Sequence, residues 1–222
     1  MKSVTKTAIA AAVLAATAIP SFAQAAVEAN IGATSNYMWR GVTQSSNDPS
    51  ISGGIDYSHE SGFYAGTWIG SIDWGQGGGT ENDYYLGYGG ESGEFGYDVG
   101  YIYYSYTASG YEDSDFGEIY FNGSYKNFGF GVAYTVNSDA ADGAPFDSGD
   151  IFYSVSYGFD LPEEYSLGLT YGYYDFDVGS DYDYGYFQVD LAKGDFTFSI
   201  SKADEESGDD DTKFVVSWGT SF

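Results

Sequence analysis

Few residues in this chain have the types for chemistry. Arg40 is the only arginine and His59 the only histidine. Both fall in one stretch, SNYMWRGVTQSSNDPSISGGIDYSHESGFYAG, residues 35–66. His59 stands between Ser58 and Glu60, the residue types of a hydrolase. That chemistry needs a nucleophile and a base within hydrogen-bond reach, with a third group orienting the base. Neighbours on a strand point to opposite faces, so Ser58 cannot meet His59, and the histidine reads as a structural residue beside a tight turn. GQGGGT, residues 75–80, has the glycines of a phosphate loop, but no lysine and no helix start follow it. DYDYG, residues 181–185, lacks the glycine and terminal glutamate positions of a calcium loop. Cysteine is absent, which removes thiolate nucleophiles, thiolate metal sites and disulfides. No enzyme, catalytic residue, cofactor or dedicated metal site is expected. Weak divalent-ion binding on acidic loops, at Asp209, Asp210 and Asp211, is the residual metal reading.

The elements that position these residues follow from composition. Gly numbers 32 and Tyr 24, aromatics reach 20%, and the mean hydropathy is only −0.28. Gly, Tyr and Phe at short intervals suit strands and tight turns rather than a helical core. Residues 1–25 read as a secretory leader: Lys2 and Lys6, an apolar run from Ala8 to Ile19, then small residues ending at Ala25. Its removal leaves 5 basic residues against 33 acidic ones, a formal charge of −28. Such a charge repels nucleic acid, so no nucleic-acid partner is expected. The aromatic content argues against a disordered acidic chain.

Residues 26–222 alternate with period two. In KFVVSWGTSF, Phe214, Val216, Trp218, Thr220 and Phe222 share one face while Val215, Ser217, Gly219 and Ser221 share the other. Periodicity alone fits either a sandwich or a membrane barrel. Connection lengths favour the barrel. Strands are expected near 27–39, 50–60, 63–74, 82–91, 95–107, 116–126, 128–136, 151–160, 164–175, 183–193, 195–203 and 213–222. Long connections at 40–49, 75–81, 108–115, 137–150, 176–182 and 204–212 alternate with tight turns. An even number of strands and strict alternation predict an all-β, transmembrane, antiparallel up-and-down barrel of about 12 strands with both termini periplasmic. Residues 63–74 fit worst, with Trp68, Ile69 and Ile72 split across faces.

The long connections after the first carry many acids and no base. Trp39, Trp74, Tyr103, Tyr134, Tyr157 and Tyr173 fall near strand ends, as an interfacial girdle requires. If Phe214, Val216 and Trp218 face out, the inward set includes Glu28, Asn30, Asp56, Asp98, Glu118, Asn122, Lys126, Gln188 and Asp190, with Arg40 at the outer end of the first strand. Excess acid there predicts cation preference in an open lumen. Twelve tilted strands give a backbone radius of about 12 Å, which side chains including Tyr104, Tyr106 and Phe152 narrow further.

The stretch SNYMWRGVTQSSNDPSISGGIDYSHESGFYAGTWIGSIDW, with its Arg-Gly…Gln-Ser…Asn-Asp-Pro spacing at 40–49, resembles the N-terminal signature of the TorF-type porin family of proteobacterial outer-membrane barrels. The similarity continues through EFGYDVGYIYY at 94–104. The terminal Phe222 resembles the signal read by the barrel assembly machinery. The resemblance implies an outer-membrane location, with lipid and lipopolysaccharide as surroundings. Two functions stay open: a porin-like channel for small hydrophilic, cation-leaning solutes, or a non-conducting structural or surface-interaction barrel with acidic, divalent-ion-binding loops. Arg40 is expected to anchor an inward-folded loop in either case.

Overall fold

The computed structural model describes residues 25–75, 77–107, 110, 111 and 113–222. The leader expected over 1–25 lies outside them, except for Ala25. The barrel strands are β1 Ala26–Thr34, β4 Ser50–Ser58, β5 Phe63–Asp73, β6 Gly78–Ser92, β7 Phe95–Thr107, β8 Phe116–Tyr125, β9 Phe128–Ser138, β10 Ile151–Asp160, β11 Tyr165–Asp175, β12 Tyr184–Lys193, β13 Phe196–Ala203 and β14 Lys213–Ser221. Between β1 and β4 lies a separate miniature hairpin of β2, Met38–Trp39, and β3, Val42–Thr43. Each barrel strand pairs antiparallel with its sequence neighbours, and β1 closes the ring on β14, with Gly32 opposite Gly219. The fold is therefore the closed, twelve-stranded barrel that alternation and connection length predict. Closure leaves no unpaired sheet edge.

The two faces of the wall follow the alternation. Phe214, Val216 and Trp218 point outward, while Lys213, Val215 and Ser217 are buried inside. Ile51, Ile55, Leu86, Val99, Ile119 and Val155 extend the outward apolar row. Tyr103, Tyr134, Tyr157 and Tyr173 occupy outward positions as expected. The inner wall explains why Gly and Tyr recur together. The inward rings of Tyr64, Tyr85 and Tyr120 lie over Gly87, Gly66 and Gly100 on adjacent strands, where any Cβ would collide with them. Flat rings and bare backbone thus line the inside.

Three differences from the sequence reading bear on what lies inside the wall. The first strand ends at Thr34, not at residue 39, because the chain then turns into the lumen. The expected 75–81 loop shrinks to residues 74–77. Glycine-rich backbone offers no side chain to oppose pairing, so β6 begins at Gly78 opposite Asp73, and Gly75 (φ 82°) and Gly77 (φ 115°) make the turn. That connection breaks the strict long–short alternation. Finally, β8 stops at Tyr125, which puts Lys126 in a two-residue turn.

The irregular strand β5 also finds its reason. Ile69 faces outward, but Trp68 and Ile72 face inward and pack against the inward-turned segment: the Trp68 ring lies 5.4 Å from Tyr37, and Ile72 is buried with Tyr37 and Tyr111. An inner wall is apolar where something packs on it.

Candidate functional site

The segment between β1 and β4 folds into the lumen at its long-loop end. Its entry is set by Thr34, whose hydroxyl donates to the Asn36 carbonyl at 2.9 Å. Asn36 then collects the segment: its Oδ1 accepts from Thr43 Oγ1 (2.6 Å) and Ser45 Oγ (3.2 Å), and its Nδ2 donates to Asn47 Oδ1 (3.2 Å). The backbone N–H of Gln44 donates to the Tyr37 carbonyl at 2.7 Å and closes the hairpin. Its tip is Arg40-Gly41, with φ of 47° and 87°. Two consecutive positive φ values are the mark of the tight turn whose twist suits a hairpin. Gly41 also lies against Tyr186, where a Cβ would collide with the ring. Outside the segment, Gln44 accepts from Trp74 Nε1 at 2.9 Å, its carbonyl accepts from the Asp73 N–H at 2.9 Å, and the Thr43 N–H donates to Asp209 Oδ2 at 2.9 Å.

The tip carries Arg40 to Glu118. The pair is two-pronged, Nη1–Oε1 at 2.8 Å and Nη2–Oε2 at 2.6 Å, with both side chains buried. Glu118 lies on β8 next to a register shift, where Gly117 faces Asn137 and Glu118 faces Thr135. A bulge of this kind re-aims a side chain. Tyr104 and Tyr174 donate further hydrogen bonds to Glu118, at 3.3 and 3.5 Å. The guanidinium carbon stands 4.2 Å from the Trp39 ring centroid, 4.1 Å from Phe152 and 5.0 Å from Tyr174. Trp39 therefore belongs to an inner aromatic cluster with Tyr104, Phe116, Phe146 and Tyr174, not to an interfacial girdle. Trp74 likewise turns in against Tyr106 and Tyr111, at 4.9 and 4.4 Å. Both tryptophans left the expected girdle because the connections that carry them fold inward.

The wall acids fall into a different environment. Asp56 accepts from Asn30 Nδ2 at 3.0 Å and from the Tyr85 hydroxyl. Asp98 accepts from Tyr64 OH at 2.6 Å and Asn122 Nδ2 at 3.4 Å. Asp190 accepts from Gln188 Nε2 at 3.0 Å and Ser199 Oγ at 2.5 Å. All these donors are neutral, so the charges of the acids are oriented but not cancelled. Glu28 is exposed near the short-turn end of β1, opposite Asp56 of β4.

Lys126, expected in the lumen, instead sits exposed in the turn after β8 with φ of 55°, 3.8 Å from Glu94 and 5.2 Å from the Tyr125 ring. The inward cation that pattern reading missed is Lys213, 9% exposed and 2.5 Å from Asp209. The strict alternation of β14 was the signal for it. Asp209 is thereby committed to Lys213 and to the hairpin rather than to an ion, while Asp210 and Asp211 are exposed beside it. No group of three potential metal-ligating side chains occurs among the described residues. Glu81 and Asp83, which look like loop acids in sequence, are buried on the inward row of β6. Glu81 accepts from Tyr37 OH at 3.0 Å, and Asp83 Oδ1 has no hydrogen-bond partner among the described residues. His59 caps its turn: Nδ1 lies 2.9 Å from Ser61 Oγ and accepts the Ser61 N–H at 3.2 Å. Beyond the hairpin, toward the long loops, lies a cavity of about 440 Å³.

Among solved structures, the chain is similar to a KdgM porin, with 8% identity and a TM-score of 0.55 over 89% of this chain and 98% of that one. A KdgM porin in complex with disordered oligogalacturonate gives 10% identity and a TM-score of 0.53 over the same shares. The outer-membrane protein OpdK from Pseudomonas aeruginosa aligns at 14% identity and a TM-score of 0.42, over 79% of this chain and 58% of that one. The first two likenesses are likenesses of fold. No curated protein sequence matches the chain. A family model described as a bacterial protein of unknown function, Gcw_chp, matches residues 19–217, and the chain belongs to that family.

Proposed function

We propose that this chain is an outer-membrane channel for passive passage of small hydrophilic, cation-leaning solutes, narrowed from within by the hairpin at residues 36–45. The observation that carries the reading is the charge on the inner wall. Asp56, Asp98 and Asp190 are held by neutral donors, while the buried Arg40 is matched by Glu118. Acid in excess of base on a polar lumen wall favours cations. The outward apolar row supports a lipid surround, and the barrel likeness to KdgM porins supports the channel class. A polyanion such as the oligogalacturonate of that neighbour is not the expected solute here. In this reading residues 1–25 are a cleaved leader, both termini are periplasmic, Phe222 is part of the assembly signal, and the long loops meet lipopolysaccharide. The resemblance of residues 35–74 to TorF-type porins points the same way.

A second reading draws on the packing around Arg40. The Trp39, Phe116, Phe146 and Tyr174 rings enclose the hairpin tip, as a permanent plug would require. A non-conducting barrel acting through its acidic loops follows from that. Planar-bilayer recording of folded protein in asymmetric salt separates the two. Discrete conductance with a cation-selective reversal potential supports the channel, and a silent bilayer supports the plug.

A further inference from the structure

We propose that the cavity between the hairpin and the long loops binds a small organic cation of the quaternary-ammonium class; the idea rests on the channel reading and names the solute class at its mouth. The cavity, about 440 Å³, has the size of a small-molecule site. Trp39, Trp74, Phe146, Phe176 and Tyr182 are among the aromatic residues that line it. Asp113, from the connection after β7, and Glu206, from the connection after β13, add carboxylates to it. No Lys, Arg or His lines it among the described residues. The two inward cations are engaged elsewhere, Arg40 with Glu118 and Lys213 with Asp209.

Ring faces carry negative quadrupole potential and attract a weakly hydrated cation, the more so where water is partly excluded. The same aromatic cluster already holds one such cation: the Arg40 guanidinium lies 4.2 Å from the Trp39 ring, and Trp39 in turn lies 6.1 Å from Phe146. A strongly hydrated metal ion would have to shed water for rings that return little. An anion would meet Asp113 and Glu206. A quaternary ammonium group matches both the rings and the carboxylates.

The test titrates the folded full barrel, in detergent micelles, with choline and with its uncharged isostere 3,3-dimethyl-1-butanol, read by quenching of tryptophan fluorescence. Glucose is the saccharide control, and heat-modifiable gel migration reports folding. Choline should saturate, and the isostere should bind about tenfold more weakly or worse. Asp113→Asn combined with Glu206→Gln should weaken choline by a similar factor in a barrel that still folds. Should that double variant misfold, Tyr182→Ala, at an exposed position, should weaken choline instead. Equal binding of the isostere, no saturation by choline, or saturation by glucose alone overturns the proposal. The readout needs no current, so the two ideas fail separately. A silent bilayer with saturable choline binding sinks the channel, whereas conduction without choline binding sinks the site.

Discussion

Arg40 and Glu118 stand 78 positions apart in sequence and meet in a two-pronged ion pair, at 2.8 and 2.6 Å, inside the barrel near its long-loop end. The only arginine of the chain thus reaches across from the first connection to the β8 wall. Everything else in residues 36–45, from the Asn36 network to the Arg40-Gly41 turn, serves to hold it there.

Removal of one partner of a buried pair leaves an uncompensated charge, at a cost of about 3–5 kcal/mol. Arg40→Ala should therefore release the hairpin while the strand ladder persists. Limited proteolysis should cut within residues 36–45, and single-channel conductance should rise. Arg40→Ala with Glu118→Ala should cost less than the sum of the single changes. Unchanged proteolysis and unchanged current in Arg40→Ala would refute the anchor.

Gly41 is required on two grounds, its φ of 87° and its contact with Tyr186. Gly41→Val should bring strain of about 1–3 kcal/mol to the turn and displace the tip. Its proteolysis pattern should match that of Arg40→Ala, although no charge changes. A wild-type pattern would show that the turn tolerates a side chain.

The wall acids should set selectivity without setting pore size. Asp98→Asn with Asp190→Asn keeps shape and most hydrogen bonds but removes two negative charges. The reversal potential in asymmetric salt should move toward zero, with conductance changed by less than about twofold. A reversal potential that stays put would place the selectivity elsewhere.

The outward row should reject charge in the middle of the wall. Val216→Lys replaces an outward apolar residue and should lower folding stability in lipid by about 2–4 kcal/mol if it sits at the bilayer midplane. Urea titration in vesicles measures this. The natural Lys193, at the end of β12 and 4.2 Å from the Tyr165 ring, shows where a lysine is accommodated. No loss for Val216→Lys would argue that this face does not meet hydrocarbon.

Most of the barrel was legible because strand patterning is local. Phe214, Val216 and Trp218 must share a face whatever the rest of the chain does, and the inward places of Asp56, Asp98 and Glu118 follow from the same period of two. The pattern failed where a backbone choice overrode it. Lys126 continues the inward alternation on paper, but a positive φ in the turn takes it out of the wall. Trp39 reads as the end of a strand, but the chain leaves the sheet at Thr34 and carries the ring inside. Trp68 and Ile72 look misplaced until Tyr37 packs against them.

The sequence by itself determined the wall: the strands, their faces, the acid excess and the isolation of Arg40 as the only arginine. It did so because alternation, turn residues and charge counts are properties of neighbours along the chain. Only the tertiary structure decided what stands inside the wall. The pairing of Arg40 with Glu118, the approach of Gly41 to Tyr186 and the tie from Thr43 to Asp209 join residues far apart in sequence. Ring closure brings them within reach, and no local pattern records the distance across a closed barrel.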